Sequence, residues 1–436
     1  MPVRETAEYR LPPLGSAGSA AVWSATRRAE LLDVFAANVY GRVPDGGGVA
    51  AVTELVRVEG ALDGAATMTE YDVTLAGPRG TRNVALLVYT PRDADAASPA
   101  RVLLGSNFMG NHATTSDPSV RVSHAPVYMP AVDQSRPVVY PFDPSDLPAV
   151  VGWNALPVGD RGAEAGTFYA TAVARGYAVA TLHFPEIEPD RPGATAAAAG
   201  VRGMFASEDE LEQGRDPEAW GTLAAWAWGL SRMVDVLEAV PEVDGSAVVV
   251  HGISRTGKVA LWAAAQDDRL AGALTGVSGC GGAALFRNKG GENVRAITHF
   301  FPHWFAERFL DYRDADDQLP VDQHQLLALI APRALYVASA TLDSWADPRN
   351  EHLATLHASP VFELFEEHGT LPAGTVPPGA DVPVDVARAV ALPPVGTRVG
   401  GRLSYHIREG DHGVTDEDWA HFLDFADEQA VGRGRR

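Results

Sequence analysis

The spacing of apolar positions changes along this 436-residue chain. Residues 25–40 place Leu31, Leu32, Phe35 and Val39 at helical spacing, and Gly41 follows, which predicts an early helix. Alternating stretches come next: TELVRVEGAL, TMTEYDVTLAG and RNVALLVYTPR. They predict antiparallel strands, with a hairpin at the Gly-Pro-Arg-Gly break at 77–80. From residue 100 the alternation gives way to short, continuous apolar runs. These are RVLLGSNF (101–108), YAVATLHF (177–184), AVVVHG (247–252), LAGALTGVSG (270–279), ALYVASAT (334–341) and RLSYHIREG (402–410). Helical spacing is found between and after them, at roughly 165–175, 218–240, 256–266, 321–330, 349–357 and 415–430. Continuous apolar strands alternating with helices predict a mainly parallel sheet with helices on both faces, a three-layer α/β sandwich.

Residues 113–162, rich in Pro, Ser and Asp, and residues 366–400, rich in Pro, Gly and Val, lack such a period. Both exceed ordinary connections and are expected to be insertions near a site. Candidate chemical residues span 105 to 412. The expected organisation is therefore one catalytic domain over 1–436, with a helix and antiparallel strands at about 25–91.

Composition narrows the function classes. The chain is 46% hydrophobic and 21% charged, with a formal charge of −21. An acidic surface repels phosphate backbones and anionic lipid, so neither nucleic acid nor membrane is an expected partner. The single cysteine, Cys280, leaves no internal disulfide and no cysteine-rich metal site. No HExxH motif or Cys/His cluster is present, so no metal or cofactor is expected. The N-terminal stretch has no apolar core after its charges, and no run of 18 or more apolar residues occurs. The expectation is a cytoplasmic protein; nothing in the sequence indicates its oligomeric state. Lysine occurs only at 258 and 289 among many arginines, which makes Lys258 conspicuous.

Lys258 belongs to VVVHGISRTGKVALWAAA, residues 248–265. Four apolar or β-forming residues run into Gly252, Ser254 and Gly257, and a helical pattern follows. A serine on a sharp strand-to-helix turn is the nucleophile elbow of α/β-hydrolases, and its tight turn demands small neighbours. The pattern here is G-x-S-x-x-G, with Thr256 where the second glycine usually stands. The competing reading is a serine that merely caps a helix. A serine nucleophile needs a base, and the base an orienting carboxylate, in the chain order Ser, acid, His. His412 follows the last apolar strand, whereas His406 lies within it. Asp343 and Asp347 both follow ALYVASAT. Asp347 precedes Pro348 and a helical run, as a helix cap would, which favours Asp343 as the acid. An oxyanion needs fixed N–H donors. One is expected from Arg255. The second is expected from the loop GSNFMGNH (105–112), with Asn107 and Phe108 the candidates, Gly105 and Gly110 allowing backbone to approach a ligand; the alternative is an ordinary tight turn.

GISRTGK, followed by SGCGGAALFR, FPHWF, LPVDQHQLLALIAPRALYVASATLDSWADP and YHIREGDHGVTDEDWAHFLDF, resembles carbohydrate esterase family 15, the glucuronoyl esterases, and most closely their bacterial branch, often called acetylxylan-esterase-like. LGSNFMGNH resembles the segment after that family's early strand. The resemblance spans roughly 100–430. It implies Ser254 as nucleophile, His412 as base, and an Arg255 side chain that helps hold the oxyanion. It also implies that Lys258 binds uronate hydroxyls and that Trp345 lines the sugar pocket, with Trp304 and Glu292 as further substrate-binding candidates. Fungal members carry a catalytic glutamate where this chain has Val277, so the acid's role falls to Asp343. Ile253 replaces the cysteine common before the family's serine.

The leading expectation is a serine-dependent hydrolase of a carbohydrate ester, with a glucuronoyl or 4-O-methyl-glucuronoyl ester as substrate. A sugar acetyl esterase, such as one acting on acetylxylan, is the alternative. The third reading is a non-catalytic binding protein on a hydrolase fold.

Overall fold

The computed structural model describes residues 8–14, 19–133, 147–164, 167–213, 216–287, 291–365, 381–383 and 391–429. Lys289 and most of the 366–400 segment lie outside them.

The continuous apolar strands pair in parallel, as their two-sided hydrophobicity requires. Across the sheet the order is Tyr177–His183, Ala100–Asn107, Val243–Ile253, Gly272–Gly276, Ala334–Ala340 and Leu403–Arg408. Antiparallel strands Gly80–Pro91, Ala66–Gly77 and Gly48–Gly60 extend one margin, and Val399–Gly400 the other. The hairpin expected at 77–80 forms, with Gly77 opposite Gly80.

Successive side chains of each central strand enter opposite cores. Val248 and Val250 pack on one face with Trp226 and Trp262 from helices Thr222–Leu237 and Arg255–Gln266. Val249, Leu274 and Tyr336 pack on the other with Phe168, Phe422 and Phe425 from helices Thr167–Ala174 and Asp416–Glu428. Each fully buried side chain of this kind stabilises the fold by about 1.5–3 kcal/mol. The outermost strand, Gly48–Gly60, is mostly exposed and carries Glu54, Arg57 and Glu59, charges that suit a free edge.

The fold is an α/β-hydrolase sandwich. The strands that matter for chemistry end level with one another: Ile253 pairs with Gly276, Gly276 with Ala338, and Ala340 with Arg408. Ser254, Val277, Asp343 and His412 therefore leave the sheet along one edge. The 113–162 segment, expected to be irregular, contains an antiparallel pair, Val127–Val132 with Val150–Leu156. The helix expected at 349–357 runs from Pro348 to Glu363.

Candidate active site

At the carboxyl edge of the parallel strands lies a cavity of about 660 Å³. Ser254, Arg255, Lys258, Val277, Glu292, Trp304, Trp345 and His412 all line it.

Ser254 sits at φ 57°, ψ −125°, a left-handed conformation rare for a residue with a side chain. Such a backbone costs about 1–3 kcal/mol and persists only where its surroundings enforce it. The surroundings here are specific. A Cβ on Gly252 would stand 2.1 Å from the Thr256 carbonyl oxygen, and one on Gly257 2.6 Å from Thr275 Oγ1. These contacts explain G-x-S-x-x-G. The second glycine is needed where the helix crosses the neighbouring strand, at 257. At 256 a threonine serves, because its Oγ1 donates to Ile253 O and accepts from Ile253 N, both at 2.8 Å.

His412 Nδ1 and Asp343 Oδ2 are 2.6 Å apart. The aspartate side chain is 2% exposed and the histidine 43%, so a buried carboxylate holds an imidazole that still reaches the cavity. Asp343 Oδ1 also accepts the Ala346 amide at 3.0 Å. Asp347 behaves differently. It accepts the Asn350 amide at 3.2 Å and caps the helix Pro348–Glu363. His406 is buried in its strand, between Tyr336 Oη and Asp418.

The two cations at the start of the serine helix are both buried. Arg255 Nη1 pairs with Asp190, and Nη2 donates to Met129 Sδ at 2.8 Å. The guanidinium carbon lies 5.0 Å from the Trp304 ring and 5.3 Å from that of Phe301. Lys258 Nζ donates to the carbonyls of Ser278 (2.7 Å) and Cys280 and to Glu292 Oε2 (3.3 Å). Its three protons have three acceptors within the protein, although Lys258 lines the cavity where donors to a sugar were expected. Burial pushes the Glu292 carboxyl above its ordinary value, and Lys258 draws it back.

The early loop is held by its own side chains. Asn107 is buried with its amide donating to Asn111 Oδ1 (2.7 Å) and Thr181 Oγ1 (3.0 Å), and its oxygen accepts the Gly110 amide (2.8 Å). It ties the loop together, while Phe108 lines the cavity. The space left by Gly105 is filled by the His251 ring, 2.2 Å from where a Cβ would stand, and that beside Gly110 by the His112 ring at 2.6 Å. Both glycines make room for histidines, not for a ligand.

Several site residues were not anticipated. Met129, Pro130 and Val132 of the 127–132 strand form a cavity wall. Asp190 lies in EIEPDRPG, and its only sequence signal is an acid in a loop after a parallel strand. Glu351 accepts from Ser339 Oγ (2.6 Å), the Gly279 amide (2.9 Å) and Ser278 Oγ (3.3 Å), and so holds the 277–280 turn from below. Burial pushes its carboxyl up to about 8. Its signal was a lone acid at a core position of a helix.

Comparison with known proteins places the chain. A carbohydrate esterase, MZ0003, from an unknown prokaryotic organism is 36% identical over 421 residues, 95% of this chain and 87% of that protein. A glucuronoyl esterase from Solibacter usitatus is 34% identical, with a TM-score of 0.76 over 97% of this chain and 98% of that one. A promiscuous CE15 esterase from a marine bacterial metagenome is 34% identical, with a TM-score of 0.78 over 97% of both chains.

The chain belongs to carbohydrate esterase family 15.

The family description "Glucuronyl esterase, fungi" matches residues 214–366, the span from before the elbow to beyond Asp343. Within this member of family 15, Val277 adopts φ 43° and packs against Ala340, Ala346 and Ile253. An apolar contact thus occupies the position where the fungal glutamate was expected.

Proposed function

We propose that this family 15 esterase cleaves a glucuronoyl ester at Ser254, with Asp343 and His412 completing the triad. The observation that carries the reading is the 2.6 Å contact between His412 Nδ1 and Asp343, made beside the cavity that the strained Ser254 lines. With Nδ1 committed to the carboxylate, Nε2 is the nitrogen left to take a proton. Ser254 Oγ attacks the ester carbonyl while His412 Nε2 removes its proton. The oxyanion is stabilised by the Arg255 amide and side chain, and its collapse expels the alcohol, which receives that proton. Water, deprotonated by the same nitrogen, then releases the acid and restores Ser254.

The names of the relatives support a uronic acid on the acyl side. The fungus Hypocrea jecorina has a 4-O-methyl-glucuronoyl methylesterase 31% identical over 290 residues, 58% of this chain and 62% of that protein. A second reading, hydrolysis of sugar acetyl esters, draws on Lys258. Its three donors are committed within the protein, so its charge selects neither acyl group, both being neutral in the ester.

The deciding experiment compares benzyl glucuronate with acetylated xylose. The expectation is a higher kcat/KM on the glucuronate, and the reverse order would favour the acetyl reading. Ser254→Ala should lower kcat by on the order of 10⁶ on either ester. Asp343→Asn should cost about 10⁴, because the imidazole loses its fixed tautomer. Retention of a tenth of wild-type activity by Ser254→Ala would sink the serine mechanism.

A further inference from the structure

Two carboxylates follow the strand Tyr177–His183, separated by Pro189, and both are completely buried. A carboxylate taken out of water needs donors. Glu188 finds them in Arg202, through Nε at 2.7 Å and the backbone amide at 3.2 Å. Asp190 takes its donors from side chains around the candidate active site. Trp304 Nε1 donates to Oδ1 at 2.7 Å, His303 Nε2 contacts Oδ1 at 3.1 Å, and Arg255 Nη1 donates to Oδ2. Burial raises the Asp190 carboxyl, but Arg255, His303 and Trp304 outweigh it, and the net shift is downward. The group is an anion at neutral pH.

Arg255 follows the proposed nucleophile directly, so the elbow fixes its Cα but not its guanidinium. Flexible side chains lose catalytic value unless something locks their geometry. Asp190 does this for one end of the fork. Met129 Sδ takes Nη2, and the rings of Trp304 and Phe301 lie beside the plane. Among the described residues Nε has no partner, and it is itself buried. The Asp190–Trp304 bond fixes that ring as well.

We infer that Asp190 is a positioning residue for ester hydrolysis, and that it acts on the reaction only through Arg255. The inference rests on the proposed role of Ser254 and its neighbour in ester cleavage. Transition-state interactions lost without change in substrate binding appear in kcat and not in KM.

The test is a cycle of four full-length proteins: wild type, Asp190→Asn, Arg255→Met and the double variant, assayed on the better of the two esters, with Ser254→Ala alongside. Asp190→Asn is expected to lower kcat by about 10- to 100-fold, within the range for losing one oxyanion donor, with KM changed less than about twofold. In the Arg255→Met background the same change should alter kcat less than about twofold, because the residue it acts through is gone. An equal loss in both backgrounds would make Asp190 structural and overturn the inference. Should Asp190→Asn fail to fold, the comparison of Arg255→Met with the double variant still decides, since neither buries an unpaired guanidinium. Equal rates there support the inference and a slower double variant overturns it. Activity surviving Ser254→Ala would remove the ester-cleavage reading and this inference with it. Loss in Ser254→Ala beside an unchanged Asp190→Asn would remove the inference alone.

Discussion

Arg255 and Lys258 stand one turn apart on the same helix, both buried, both paired with a buried acid, and both lining one cavity. They differ in how fully their donors are used. The ammonium of Lys258 meets two backbone carbonyls and Glu292, which satisfies all three of its protons. The guanidinium of Arg255 has five N–H donors in a rigid fork, and among the described residues its buried Nε has no partner. A buried cation whose donors are all taken is held like a strut, whereas one with uncommitted donors is held less completely. Position beside a nucleophile is not enough to tell the two apart.

That contrast can be broken by substitution. Lys258→Met leaves Glu292 buried without its partner and strips two carbonyls of a donor. A loss on the order of 3–5 kcal/mol of stability is expected, read by urea unfolding. If Lys258→Met is as stable as wild type but loses glucuronate activity selectively, Lys258 is a ligand-binding residue and the contrast fails. Arg255→Met should show the opposite balance. Its kcat should fall by about 10²–10³ on glucuronate and acetyl esters alike, equivalent to about 3–4 kcal/mol of transition-state stabilisation. A loss confined to one ester would show that the arginine reads the acyl group instead of the oxyanion.

Glu351 sharpens the strut side of the comparison, because it holds the turn whose carbonyls receive Lys258. Its folded carboxyl titrates near 8, against an ordinary value of 4.5, owing to burial. A raised acid pKa means the native state keeps a proton that the unfolded chain has released. Native stability therefore falls as pH rises from about 4.5 to 8 and levels off above. Glu351→Gln removes that dependence. Thermal unfolding should show the variant gaining on wild type across this window, by no more than about 1.4 kcal/mol per pH unit. A constant difference between pH 5 and 8 would mean Glu351 is ionised throughout.

The smallest effect is expected at Asp347, four residues from Asp343 on the same loop. Asp347→Asn should cost at most about 1 kcal/mol of stability and leave kcat within about twofold, since asparagine caps helices well. If Asp347→Asn were instead as damaging to kcat as Asp343→Asn, the assignment of the acid would have to be exchanged.

The sequence by itself determined the features governed by local pattern. Continuous apolar runs mark central strands because both faces of a parallel sheet are covered, and the strand–turn–helix context marks Ser254 because the elbow is made by its immediate neighbours. The pairing of His412 with Asp343 was legible for a related reason. Parallel strands end on one edge, so the loops after them meet, and Asp347 was set apart by the Pro348 that follows it. Only the tertiary structure decided how the buried cations are paired. Asp190 lies 65 residues before Arg255, and Lys258 meets Glu292 34 residues later. Gly105 reads in the sequence either as room for a ligand or as part of a tight turn, and a histidine from the adjacent strand fills the space beside it. A charged side chain in a sequence carries no record of which distant carbonyls or carboxylates will satisfy it. That is settled when the sheet brings its loops together, because low-dielectric surroundings make every donor find an acceptor or bear the cost of lacking one.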